Sequence, residues 1–310
     1  ESGEAIWRDS YNESSDFIYF RNTSLGGGHG HQDKLHMELW FEGEEILRDS
    51  GRFTYKDVEE RYRLKGSQVH NVPIINNSEY AECKDSWIYK SFPPSMGNTF
   101  VFKENRLLFE GFHCGYMDLN VLLRRRIVAP TSGIIIISDE IIGNKENDLL
   151  QHFEFGNNIS LKAENNVIIG QGERCDFNVM CFDERGELLP EITNSLLSRH
   201  YNQIEETSAL KVNTNGSYFL TTVIVKNREN QKIEIVKEDV YNFAYDVMLS
   251  KDIAQGYVIT RNKEKYGVVL IKNDVGNHSD LNGMRGVYGL GQTMVCAFHK
   301  NPEYMTVLRW

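Results

Sequence analysis

Long apolar runs are what this chain lacks first. None, Ile134 to Ile137 included, approaches the ~18 residues of a membrane span. Proline is scarce, with six in 310 residues, and no window sustains helical amphipathicity, so helices do not organise the chain. Cysteine is sparse too. Cys83, Cys114, Cys175, Cys181 and Cys296 are odd in number and lack metal-knuckle spacing, which excludes a cysteine-built zinc module and reads as reduced structural thiols. Positive charge is in deficit, 34 Lys and Arg against 44 Asp and Glu, and the net charge of −10 argues against a general nucleic-acid or membrane binder. Repeats, low-complexity segments and linker-like composition shifts are missing, so one large domain over residues 1–310 is expected. No signal peptide is visible, and the chain begins Glu1-Ser2-Gly3 rather than with Met, which leaves export open.

What is present nearly everywhere is period-two alternation. Asp16 to Phe20, Leu35 to Phe41, Leu119 to Val128, Ile134 to Ile142 and Tyr218 to Lys226 read as strands rich in β-branched and aromatic residues. Turn signals separate them, among them Glu42-Gly43-Glu44, Pro130-Thr131-Ser132-Gly133, Glu164-Asn165-Asn166 and Asn213-Thr214-Asn215-Gly216. Short helical pieces are expected only near Lys56 to Tyr62 and Asp239 to Ala244. Many strands at short spacing predict an all-β fold, here a large two-sheet antiparallel β-sandwich. Two basic clusters break the acidic background. Arg124-Arg125-Arg126 is expected to be a solvated strand face, whereas Arg61-Tyr62-Arg63-Leu64-Lys65 reads equally as a basic strand edge or an oxyanion contact.

Chemistry concentrates near the N-terminal end. Gly26-Gly27-Gly28-His29-Gly30-His31-Gln32-Asp33 is followed by Arg48-Asp49-Ser50-Gly51 and then by His70-Asn71. Histidine and aspartate are seldom buried without partners, so packing alone does not explain this density. His29 and His31, if extended, would share one face, and imidazole with carboxylate suits a borderline metal such as zinc. Each residue also has a plain alternative: hydrogen-bonded histidines at a strand start, Asp49 as turn chemistry before Ser50-Gly51, His70 as a satisfied structural side chain. The glycine run would let the backbone adopt positive φ or approach a ligand.

The ordered series Gly28-His29-Gly30-His31-Gln32-Asp33-Lys34-Leu35, then Phe41 through Asp49-Ser50-Gly51, then Tyr62 through His70-Asn71, resembles the C-terminal β-sandwich of the heparinase II/III family of bacterial polysaccharide lyases. The resemblance is strong from Trp7 to about Ile75, with weaker echoes in Leu123 to Gly143 and Ser198-Arg199-His200-Tyr201. It implies a sandwich of the super-sandwich type and a structural zinc held by His31, Asp49 and His70. It implies that His29 points instead into the substrate cleft, with Tyr62 as the matching tyrosine and Tyr55 as the alternative. A backbone that splits His29 from His31 in this way must be irregular. Arg61, Arg63 and Lys65 become candidates for neutralising substrate carboxylates or sulfates. Gly66-Ser67-Gln68 departs from the family pattern.

The reaction so implied is β-elimination on a uronic-acid polysaccharide, heparan sulfate or heparin foremost. It requires neutralisation of the carboxylate, a base for the C5 proton and an acid for the leaving oxygen. His29 suits either proton role, because free imidazole titrates near neutrality. In the family a preceding α/α-toroid domain supplies the remaining catalytic groups, so this chain is expected to be part of a longer lyase and inactive alone. A periplasmic or secreted bacterial location is implied, with a cytoplasmic one equally compatible with reduced thiols. The competing reading is a non-catalytic carbohydrate-binding or structural β module using Trp7, Trp40, Trp87 and Trp310 for stacking. A metal-dependent hydrolase is the third.

Overall fold

The structure, a computed structural model, describes residues 3–24, 29–91, 93–227, 231–272, 280–300 and 303–310. The glycine run Gly26-Gly27-Gly28 lies outside these residues. Alternating sequence becomes antiparallel sheet throughout. Strands β1 (Glu4–Arg8), β2 (Phe17–Arg21), β3 (His36–Phe41) and β4 (Glu44–Leu47) form an N-terminal meander. A seven-residue helix α1 (Glu59–Lys65) and a 3-10 turn (Ser67–Val69) lead into β5 (Pro73–Ile75). Then β6 (Ser95–Lys103), β7 (Arg106–Tyr116), β8 (Val121–Thr131) and β9 (Ile134–Gly143) run side by side in a nine-stranded sheet. Finally β10 (Leu149–Glu154) pairs with β5 on one side and with the strand Glu205–Thr214 on the other.

Among the described residues the strands divide into five sheets, which extends the expected two-sheet sandwich into three layers. The meander and the β10 sheet adjoin at a bridge between Leu47 and Phe155 and together cover one face of the nine-stranded sheet. The C-terminal five-stranded sheet covers the other face. Covering on both faces explains Ile134 to Ile137: Ile135 and Ile137 enter the first core, Ile134 and Ile136 the second. No helix among the described residues is long and apolar enough to cross a membrane.

Two local expectations are corrected. The segment 239–244 is not helical, because Tyr241–Asn242 is a short strand paired with Asn282 and Gly283. Helix α1 begins at Glu59, three residues later than Lys56.

The larger correction concerns Arg124-Arg125-Arg126, which is no solvated face: all three side chains are fully buried. The neighbouring strand β9 carries Ser138-Asp139-Glu140 in register with them, and that acidic complement makes burial tolerable. Arg124 and Arg126 point to the second layer and share Glu140, at 3.2 and 3.1 Å, while Arg124 also pairs with Glu110. Arg125 points the other way, holds Asp139 through two bonds of 2.7 Å, and donates to the carbonyls of Leu35 (2.9 Å) and Asn71 (2.5 Å). It thereby fastens the segment that carries the histidines to the central sheet.

Arg125→Ala removes the partner of a buried carboxylate and strands two carbonyls, so it is expected to cost about 3–5 kcal/mol of unfolding free energy. Urea titration checks this, and the Arg125→Met, Asp139→Leu double variant should recover only part of the loss, because the carbonyls of Leu35 and Asn71 stay unpaired.

Candidate functional site

The histidine pair lies outside regular strand. His29 sits in a turn and β3 begins only at His36. The segment between is tied at three points: Tyr89 Oη donates to the Gly30 carbonyl (3.0 Å), Gln32 N–H donates to the Lys65 carbonyl (2.8 Å), and Ala81 N–H donates to Gln32 Oε1 (2.9 Å). Held so, the two rings diverge: His31 turns toward His70, His29 toward Tyr55 and Trp87.

One atom from each of His31, Asp49 and His70 lies within 4.8 Å of the other two. His31 Nδ1 is 3.2 Å from His70 Nε2, which is 3.3 Å from Asp49 Oδ2. A tetrahedral ion with bonds of about 2.0 Å needs ligand atoms about 3.3 Å apart, so the spacing fits. The outer bonds fit as well. His70 Nδ1–H donates to the Gly66 carbonyl (2.6 Å), which leaves Nε2 as the inward nitrogen. Asp49 Oδ1 accepts the Gly51 N–H (2.7 Å), leaving Oδ2 inward. Gly51 is required there: its φ is +75°, and a Cβ would lie 2.0 Å from the Ser198 carbonyl oxygen.

Without a cation the triad shares protons. Burial lowers His70, but its hydrogen bond and charge attraction to Asp49 outweigh that and raise it to about 9. Burial takes His31 down to about 3, and the positive charge on His70 adds to the effect. Burial pushes Asp49 up, yet His70 holds it well below the usual carboxylate range.

Asn71 beside His70 is a structural keystone that sequence reasoning passed over. Its Nδ2 donates to the carbonyls of Met37 (2.7 Å) and Arg48 (2.9 Å), and its Oδ1 accepts the Glu154 N–H (2.6 Å). Its own N–H donates to His36 Nδ1 (3.1 Å), and Arg125 takes its carbonyl. Arg48, fully buried, pairs with Glu154 at 2.9 Å and donates to the Ser50 hydroxyl (3.0 Å).

His29 lies in a different, solvent-facing constellation. Arg52 Nη1 donates to His29 Nδ1 (2.9 Å), so the proton of the neutral ring is on Nε2. The ring stands edge-on to Tyr55 (5.8 Å) and Trp87 (5.9 Å), which stack on each other at 5.7 Å and 5°. Tyr201 joins Tyr55 at 6.1 Å, because Ser198 N–H donates to the Ser50 carbonyl and Asn202 N–H to that of Phe53. Residues 52–55 and 198–201 line a groove of about 240 Å³. Behind it Arg61, fully buried, lies 4.0 Å over the Trp87 ring and donates to the Tyr55 carbonyl (2.5 Å). Burial, then the charge of Arg61, lowers the Arg52 guanidinium, so this wall favours an anion.

The remaining expected residues separate by helical spacing. Arg61 and Lys65, four apart, share the buried face of α1; Lys65 donates to the Ser86 carbonyl (3.2 Å) and caps Tyr89 at 4.6 Å, so it supports the Trp87 turn and does not face solvent. Tyr62 and Arg63 face away from His29. The Tyr62 hydroxyl donates to Asp57 (2.7 Å), a bond that raises its phenol, and both residues line another cavity. Tyr55, not Tyr62, is the tyrosine beside His29. Arg52 was missed; its one signal was its place next to the Asp49-Ser50-Gly51 turn.

Residues 1–237 match the family described as heparinase II/III-like, C-terminal. The chain belongs to this family. Among relatives of the heparinase II/III-like C-terminal domain, it is 21% identical over 238 residues to a heparin-sulfate lyase of Bacteroides stercoris, covering 73% of this chain and 34% of that protein. It is 36% identical over 70 residues to an exo-oligoalginate lyase of Saccharophagus degradans, covering 19% of this chain and 10% of that one. A heparan sulfate lyase of Pedobacter heparinus shares the fold with a TM-score of 0.71 at 14% identity, over 89% of this chain and 42% of the other. A heparinase III superposes with a TM-score of 0.70 at 18% identity, over 88% and 41%. The chain thus spans about a third of that first relative and about two fifths of the solved lyases.

The shared proton gives a test. Ring-nitrogen NMR of the metal-free chain should show His70 titrating near 9 and His31 neutral down to about 3. The stability that His70 carries is present below its unfolded value and lost as pH rises through 9, so the gap between the native chain and His70→Gln should narrow from pH 6.5 to 9.5.

Proposed function

We propose that this chain is the β-sandwich portion of a polysaccharide lyase that cleaves a uronic-acid polysaccharide, heparan sulfate or heparin foremost, by β-elimination. The observation that carries the reading is the pairing of His29 with Arg52 and with the Tyr55–Trp87 stack, Arg61 lying buried behind that stack, two residues from the triad. The elimination breaks the C5–H and C4–O bonds and forms a C4=C5 double bond; one proton goes to a base and another reaches the leaving oxygen. Abstraction at C5 needs the uronate charge offset, and Arg52 beside His29 is placed to do so. With Nδ1 taken by Arg52, His29 keeps its proton on Nε2 and is suited to hydrogen-bond or protonate a substrate oxygen. Tyr55 and Trp87 offer a flat stacked face to the sugar ring. These residues form one wall; the proposal assigns the rest of the machinery to the greater length of the relatives, an α/α-toroid, and expects the isolated chain to be inactive.

We also propose that His31, Asp49 and His70 hold zinc. Zinc there would supply rigidity, cross-linking the histidine segment, the Asp49 turn and the end of the 3-10 turn Ser67–Val69, with no part in proton transfer. Metal analysis should find one zinc per chain, and a chelator should lower the melting temperature. Because zinc must displace the proton from His70, affinity should rise about tenfold per pH unit from 7 toward 9. An affinity flat across that range would exclude His70 as a ligand.

The activity is tested by ultraviolet absorbance of the unsaturated uronate, using the full-length parent on heparan sulfate, heparin, hyaluronan, chondroitin and alginate. A rise is expected with at least one. His29→Ala should lower turnover by about 10²–10⁴-fold, and Tyr55→Phe should lose more than Tyr62→Phe. A folded, zinc-loaded parent that gives no rise on any of them would favour the non-catalytic carbohydrate-binding module instead.

A further inference from the structure

On the far side of α1 from His29 lies a second cavity, of about 370 Å³, between the helix and the β10 sheet. That volume lies within the roughly 300–1,000 Å³ of small-molecule sites. Tyr62 and Arg63 line it from the helix, His152 from β10, Ser195 and Lys211 from the strands Glu191–Leu197 and Glu205–Thr214.

His152 makes this more than a surface dimple. The ring is only 2% exposed. Its Nε2–H donates to Glu154 Oε1 (2.6 Å), since a carboxylate already paired with Arg48 can only accept. The Ser195 hydroxyl donates to the same oxygen (2.6 Å), which orients both groups before any ligand arrives. His152 Nδ1 is then the unspent ring nitrogen, and it has no hydrogen-bond partner. In the neutral ring it is a buried lone pair without a donor, in a side chain that lines the cavity. Across the cavity Arg63 and Lys211 share the lining with Glu59 and Glu79, of which Glu79 accepts the Ser67 N–H and hydroxyl; neither cation has a carboxylate within ion-pair distance among the described residues, so both remain donors to an anionic group. The Tyr62 ring supplies an apolar edge. A histidine lone pair without a donor, two cations for a carboxylate and an aromatic ring together are the complement of a sugar acid.

We propose that this cavity is a second saccharide site, which binds one uronate unit of an acidic polysaccharide outside the His29 groove. The inference rests on the polysaccharide reading above but names a different site. Its role is to hold chain, not to transfer protons.

The test is ring-nitrogen NMR of the histidine-labelled 310-residue chain, titrated with an unsulfated glucuronate–N-acetylglucosamine tetrasaccharide. Saturable movement of the His152 Nδ1 resonance is expected, with Arg63→Ala and Lys211→Ala each weakening it about fivefold or more. Three outcomes overturn the proposal: movement at His29 alone, no movement at any histidine of the folded chain, or an unchanged His152 response in the Arg63→Ala, Lys211→Ala double variant. The lyase reading is judged separately, by elimination in the parent. If the parent eliminates while His152 stays silent, only the second site falls. If His152 responds while elimination is absent, the second site stands and the lyase reading falls.

Discussion

Everything near the site hangs on the peptide at Asn71. Its side-chain amide binds the backbones of β3, the end of β4 and β10, while its carbonyl receives the buried guanidinium of Arg125 from the central sheet. No apolar residue could replace this, because each partner is a buried backbone group that would otherwise go unsatisfied. Arg125 is paired in the interior with Asp139, so an ion pair in the central sheet fixes the position of a loop histidine on the outer layer. Once Asn71 is placed, His70 has little freedom, and Gly66 sets its ring.

That anchoring explains how adjacent chemistry can be divided. His29 and His31 stand two residues apart, yet one ring belongs to the half-buried triad and the other to the solvent-facing cluster of Arg52, Tyr55 and Trp87. The tied, non-strand backbone between Gly30 and Gln32 permits the divergence. The same partition recurs across α1, whose buried face sets Arg61 behind Tyr55 and Trp87 while Tyr62 and Arg63 line the second cavity.

Legibility followed the range of the interaction. The strands at residues 17–21, 36–41, 121–131, 134–143 and 219–227 were visible in alternation, because burial on a sheet is a local, period-two property. His31, Asp49 and His70 were visible through motif order. Which tyrosine stands by His29 was not, since Tyr62 lies on α1 and Tyr55 in the loop before it, and the side that α1 turns toward His29 depends on docking against Trp87 and Tyr89. The burial of Arg124-Arg125-Arg126 was readable only together with Ser138-Asp139-Glu140, one hairpin later. Arg52 carried no motif of its own.

The parallel bridge between Gly51 and Ser198 also sets an order of events in time. It joins positions nearly half the chain apart, and the groove draws Tyr201 from its distal side. Contacts of such separation pay a large loop-closure entropy before they are rewarded, so they form late in folding. During synthesis the His29 segment leaves the ribosome long before residue 201 exists. The N-terminal meander must therefore persist for a time with its histidines exposed and its groove unwalled. The groove is thus completed only after Tyr201 has been made, well after His29 and Tyr55.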